Sequence, residues 1–130
     1  MLPIIGVVAL AGAGVYAHAQ GKREVSVSAR KYAYDVDGSG QSVLRVRKDQ
    51  IVRVTFSAED IPHSFTIDEY RISRRAEPGK PVTFEFDANR AGEFRIYCNL
   101  AIDERCRRDL HGTLIVQGVH PSPRARPRAR

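Results

Sequence analysis

This 130-residue chain predicts an all-β fold, a Greek-key β-sandwich, on three observations. Apolar residues recur at every second position in several short runs. Turn residues punctuate those runs, and no segment is long and amphipathic enough for a substantial helix. A period of two sends one side of each strand to a core and the other to water. Seven or so such strands close into two packed sheets.

The elements follow in chain order. Leu2 to Tyr16 is uncharged and almost wholly apolar and leads into the small-x-small stretch Ala17-His18-Ala19. Residues 1–19 therefore read as a signal peptide or a membrane anchor, although a basic leading region is lacking and the run is shorter than a span of about 20 residues. Either reading exports the domain to a periplasmic or extracellular location, where disulfides persist. The folded domain is expected over residues 24–118. Val25 and Val27 open it, and Val52, Val54 and Phe56 alternate with Ile51, Arg53 and Thr55. His63, Phe65 and Ile67 share a face, as do Val82, Phe84 and Phe86, then Phe94, Ile96 and Cys98. Gly112 to Val116 forms the last strand. Turn signals stand between them at Asp37-Gly38-Ser39-Gly40, Lys48-Asp49, Pro78-Gly79 and Asn89 to Gly92. All five phenylalanines fall on the apolar phase and are the expected core. Residues 119–130, rich in Pro and Arg, are expected to be a disordered basic tail.

Charge narrows the function classes. The net charge is +6, but Arg124, Arg126, Arg128 and Arg130 in the tail supply four of it, which leaves the rest nearly balanced. A nucleic-acid partner needs a basic stripe on a structured face and is not expected. The tail can meet an anionic membrane surface by charge alone. An enzyme is not expected either: there is no Gly-rich phosphate loop, no carboxylate pair at acid-base spacing, and no source of oxyanion donors beside the His63 and Cys98 pair. Asp68 and Glu69, leaving a strand, could line a partner surface or a second metal site but read more simply as solvated. A single-domain monomer fits the length.

The two cysteines carry the remaining information. By strand phase, His63 and Cys98 both point inward and each sits at an end of its strand, so the imidazole and the sulfur meet at one pole if those ends are neighbours. Cys106, just before the last strand, can close over the same pole.

The stretch from Asp60 to Leu100, with the closing "HGTLIV", resembles the cupredoxin domain of cytochrome c oxidase subunit II and its smaller single-domain relatives. The likeness lies in the histidine before Ser-Phe, the Pro-Gly and Ala-Gly turns, the aromatic before Cys98, and the Gly-x-Leu-x-Val ending. It extends over about three quarters of the chain. It implies copper at one pole, held by a mid-chain histidine and a cluster near the C-terminus. The ligand loop departs from that pattern. Counting from Cys98, Ile102 stands at the second cysteine position and Cys106 at the histidine position, and Met1 is the only methionine, so the binuclear centre of the oxidase subunit cannot form as in the family.

Two main readings of the pole follow. In one, His63, Cys98 and Cys106 hold a copper ion, with zinc as the other candidate and Asp109 or His111 as a weak additional ligand; two thiolates and an imidazole suit Cu(I) or Zn(II). In the other, Cys98 and Cys106 form a disulfide and His63 is a satisfied core histidine. His111, before Gly112, reads more simply as exposed. The first reading implies single-electron transfer or copper carriage with a redox or copper-trafficking protein as partner. The second implies a metal-free sandwich that binds a partner.

Overall fold

The computed structural model describes residues 22–118. Nine strands run through them: β1 (Lys22–Arg30), β2 (Ala33–Val36), β3 (Val43–Arg47), β4 (Ile51–Ala58), β5 (His63–Ile67), β6 (Ile72–Ala76), β7 (Val82–Asp87), β8 (Gly92–Tyr97) and β9 (His111–Gln117). One sheet has the order β2-β1-β4-β7 and the other β3-β9-β8-β5-β6. The pairs β1 with β4 and β3 with β9 are parallel. Parallel neighbours cannot be joined by a hairpin, so the chain has to cross between sheets.

The inward faces are those the alternation predicts. Across β4 and β7, Val52 meets Phe86, Val54 meets Phe84 and Phe56 meets Val82 on the core side, and the polar Arg53, Glu85, Thr55 and Thr83 pair outside. All five phenylalanines are buried. Tyr34, Phe56, Phe65 and Phe84 form a run of ring contacts 5.6–6.2 Å between centroids. Tyr70 joins Phe86 and Phe94 in a second cluster at 5.2 and 5.3 Å. The Pro78-Gly79 turn places Gly79 at φ 80, a conformation in which a side chain would be strained.

Three features were not spelled out by the pattern. β2 has only four residues. β6 buries only Ile72 and Ala76 and exposes Ser73, Arg74 and Arg75, as an edge strand can. The segment between the cysteines, which reads as a loop, contains a short helix, α1 (Glu104–Asp109). Asp103 caps it by accepting from the amide of Cys106, and Cys106 is its one buried residue. The expected signal or anchor (1–19) and the basic tail (119–130) lie outside the described residues. Among those described, no helix is long and apolar enough to cross a membrane.

Candidate functional site

The first residue of β5, the residue after β8, and the middle of α1 converge at one pole of the sandwich. They bring together His63, Cys98 and Cys106, each with no more than 1% of its surface exposed. Cys98 and Cys106 are joined in a disulfide with their Cα atoms 5.7 Å apart. His63 Nδ1 lies 3.3 Å from Cys106 Sγ. Strand phase turns His63 and Cys98 inward and the neighbouring strand ends bring them together, Cys106 reaches them from α1, and of the two readings the sequence leaves open the structure has the sulfur–sulfur bond. In this state neither sulfur is a thiolate. Among the described residues no group of three or more His, Cys, Asp or Glu side chains is arranged to hold a metal ion.

Sequence reasoning missed Asp60. Its Oδ1 is 2.9 Å from His63 Nε2 and also accepts from the amide of Ile61 at 2.7 Å, while Oδ2 accepts from the amide of Lys31 at 2.9 Å. Desolvation pushes this carboxyl upward, but the Lys31 amide, the His63 ring and the Ile61 amide outweigh it and hold the pKa at about 2. Asp60 is therefore ionised at neutral pH and can only accept hydrogen bonds. The one sequence signal was its position three residues before His63.

Tyr32 was missed as well. Its ring meets that of His63 edge-on, with centroids 6.0 Å apart and an interplanar angle of 89°. The guanidinium of Arg105, from α1, lies 4.8 Å from the Tyr32 ring centroid. Burial thus falls from the disulfide and the imidazole, both fully buried, through the half-buried Tyr32 to the exposed Arg105.

The surrounding contacts hold the pole in place. Tyr34 donates its hydroxyl proton to the carbonyl of Ser64 at 2.5 Å, inside the core, and burial pushes the phenol far above its ordinary pKa despite the opposing charge of Arg95. The Ser64 hydroxyl donates to the Asn99 side chain and accepts from the Asn99 amide, which ties β5 to the residue after Cys98. Arg107 donates to the carbonyls of Leu100 and Ala101 and so braces the segment between the cysteines. In that segment Ile102 is 81% exposed.

The two weak-ligand candidates are engaged elsewhere. Asp109 pairs with Arg105 at 3.5 Å and Arg108 at 3.0 Å. His111 is exposed and directs Nε2 to the carbonyl of Arg108 at 2.6 Å. Neither hydrogen bonds to His63 or the cysteines. Asp68 is exposed and accepts from the Tyr97 hydroxyl at 2.6 Å.

What the arrangement can do is set by its sulfurs and one nitrogen. As bonded, it is a buried staple with one imidazole nitrogen 3.3 Å from one of its sulfurs. A protein-family model described as "Cupredoxin-like domain" matches residues 3–116. The chain is 34% identical over 121 residues to cytochrome c oxidase subunit 2 of Thermostichus vulcanus, an alignment that takes in 86% of this chain and 35% of that protein. The chain thus spans about a third of that relative's length. The fold resembles the periplasmic domain of oxidase subunit II from Bradyrhizobium japonicum, with a TM-score of 0.62 at 14% identity over 73% of this chain and 83% of that one. It also resembles a structure of the mixed disulfide intermediate between a thioredoxin-like protein and subunit II of cytochrome c oxidase, with a TM-score of 0.60 at 14% identity over 73% of this chain and 81% of that one.

Proposed function

The chain belongs to the cupredoxin-like domain family, and on that premise we propose that it is an exported copper-binding domain for single-electron transfer, loaded when the Cys98–Cys106 bond is reduced. The observation that carries this reading is the 3.3 Å approach of His63 Nδ1 to Cys106 Sγ beside the bonded Cys98. Two sulfurs and one imidazole nitrogen fit Cu(I), with Zn(II) as the other ion of matching softness. His63, Cys98 and Cys106 would hold the ion, and bound copper would supply a one-electron couple. The rest falls to the chain. In the oxidised protein His63 Nδ1 already lies 3.3 Å from Cys106 Sγ and all three side chains are buried, and a bound ion would take over from the disulfide in holding α1 to the pole.

Reduction requires a partner. A dithiol protein would give two electrons and two protons to the Cys98–Cys106 bond and become a disulfide itself. The mixed disulfide between the thioredoxin-like protein and oxidase subunit II supports that class of partner. The periplasmic domain of a fold relative and the apolar segment before residue 20 support export, and the basic tail is suited to an anionic surface. An electron-transfer module rather than a catalyst fits a chain related to oxidase subunit II.

A second reading is favoured by the disulfide: a metal-free, partner-binding sandwich stapled by Cys98 and Cys106. The deciding experiment uses protein purified without a chelating tag, reduced anaerobically and offered Cu(I). One copper per chain, with both thiols protected from alkylation, is expected. A reduced chain that stays folded and takes up no copper would leave the stapled sandwich.

A further inference from the structure

Asp60 touches neither sulfur, yet its carboxylate is the only side chain hydrogen-bonded to the far nitrogen of His63 among the described residues. We propose that Asp60 is the positioning residue of this pole: it keeps the His63 proton on Nε2 and so presents a bare Nδ1 to the two sulfurs. This rests on the copper reading only for the use to which Nδ1 is put. The orientation itself belongs to the metal-free, disulfide-bonded protein.

The chemistry is one of donors and acceptors. A carboxylate accepts and cannot donate, so the 2.9 Å contact requires the hydrogen on Nε2. A disulfide sulfur has no proton to offer, so Nδ1 can remain a lone pair at 3.3 Å from Cys106 Sγ. The carboxylate is fixed in turn by two amides from different parts of the chain, Lys31 in the β1–β2 turn and Ile61 in its own loop. The β1–β2 turn also carries Tyr32, whose ring packs perpendicular to the imidazole. Asp60 therefore sets both the protonated edge of the ring and the side support against it. This is the carboxylate–histidine arrangement that orients imidazole ligands at metal centres.

The test starts without metal. Long-range ¹H–¹⁵N spectra of oxidised, histidine-labelled protein at pH ~8 are expected to show His63 as the Nε2–H tautomer. Asp60→Ala should lose that preference, whereas Asp60→Asn, which keeps one oxygen for Nε2–H with its NH2 group turned against the Lys31 amide, should retain more of it. In the reduced proteins, zinc affinity by chelator competition should fall about 10- to 100-fold in Asp60→Ala and far less in Asp60→Asn. A wild-type Nδ1–H tautomer, or an unchanged tautomer in folded Asp60→Ala, overturns the proposal. Should Asp60→Ala fail to fold, the wild-type and Asp60→Asn tautomers decide it. If the tautomers behave as stated while reduced wild type takes up neither zinc nor Cu(I), the copper reading falls and the positioning role stands.

Discussion

Reducing the Cys98–Cys106 bond with metal excluded should cost the domain about 2.5 kcal/mol. The two cysteines are 8 positions apart, and closing a loop of that length removes about 8 cal/mol/K of chain entropy from the unfolded state, hence this figure at 25 °C. For a domain of this size the loss lowers the melting temperature by about 10–20 °C and the urea midpoint by about 1–2 M. The local consequence should be just as definite. α1 has six residues, too few to persist by its own hydrogen bonds, and Cys106 is its one buried side chain. Freed from Cys98, the helix should fray, and the amides of Arg107 and Leu110, which donate to Asp103 and Cys106, should exchange faster with deuterium than those of β4. The assay is urea unfolding of oxidised and reduced protein with chelator present, paired with hydrogen exchange and a denatured-state thiol count of zero before and two after reduction. If the two forms unfold within about 0.5 kcal/mol of each other, the bridge is not what holds α1 against the pole, and the reasoning fails.

Tyr34→Phe leaves the buried carbonyl of Ser64 without its donor and should destabilise by about 1–3 kcal/mol in chemical denaturation. Because burial raises the Tyr34 pKa, the unfolded chain ionises first, so stability is intact below pH ~10 and falls as pH rises beyond it; the alkaline slope should be shallower in Tyr34→Phe. A Cβ on Gly112 would stand 2.8 Å from the carbonyl oxygen of Ser42, which already accepts from the Thr113 amide, so Gly112→Ala should cost about 1–3 kcal/mol, measured as a drop in melting temperature. Phe65→Ala removes a fully buried ring in contact with Tyr34, Phe56 and Phe84 and should cost about 3–5 kcal/mol, readable by urea titration. His63→Ala should weaken Cu(I) uptake by the reduced protein while leaving the oxidised thiol count at zero.

By itself the sequence determined the sandwich, its inward faces and the region of the pole. Strand alternation is a local property: once Phe65 is inward, His63 and Ile67 must share its face, and the same phase carries Phe94 and Ile96 to Cys98. The turns at Asp37-Gly38 and Pro78-Gly79 were equally local, because positive φ selects residue types wherever it occurs. Edge strand β6 was harder to read since only its two ends are buried, and α1 was hidden because six residues with one inward side chain carry no helical period.

What only the tertiary structure decided was the chemistry between those side chains. Whether Cys98 and Cys106 bond depends on how the segment between them returns, and the Asp103 cap with the Arg107 brace brings the two Cα atoms to 5.7 Å. The same holds for Asp60. Its link to Lys31 joins residues 29 positions apart, and nothing in either segment's own pattern marks the other. Periodicity fixes which way a side chain faces, because that follows from backbone geometry within a few residues. Which partner it meets depends on the paths of separate loops, and only the closed sandwich brings those into register.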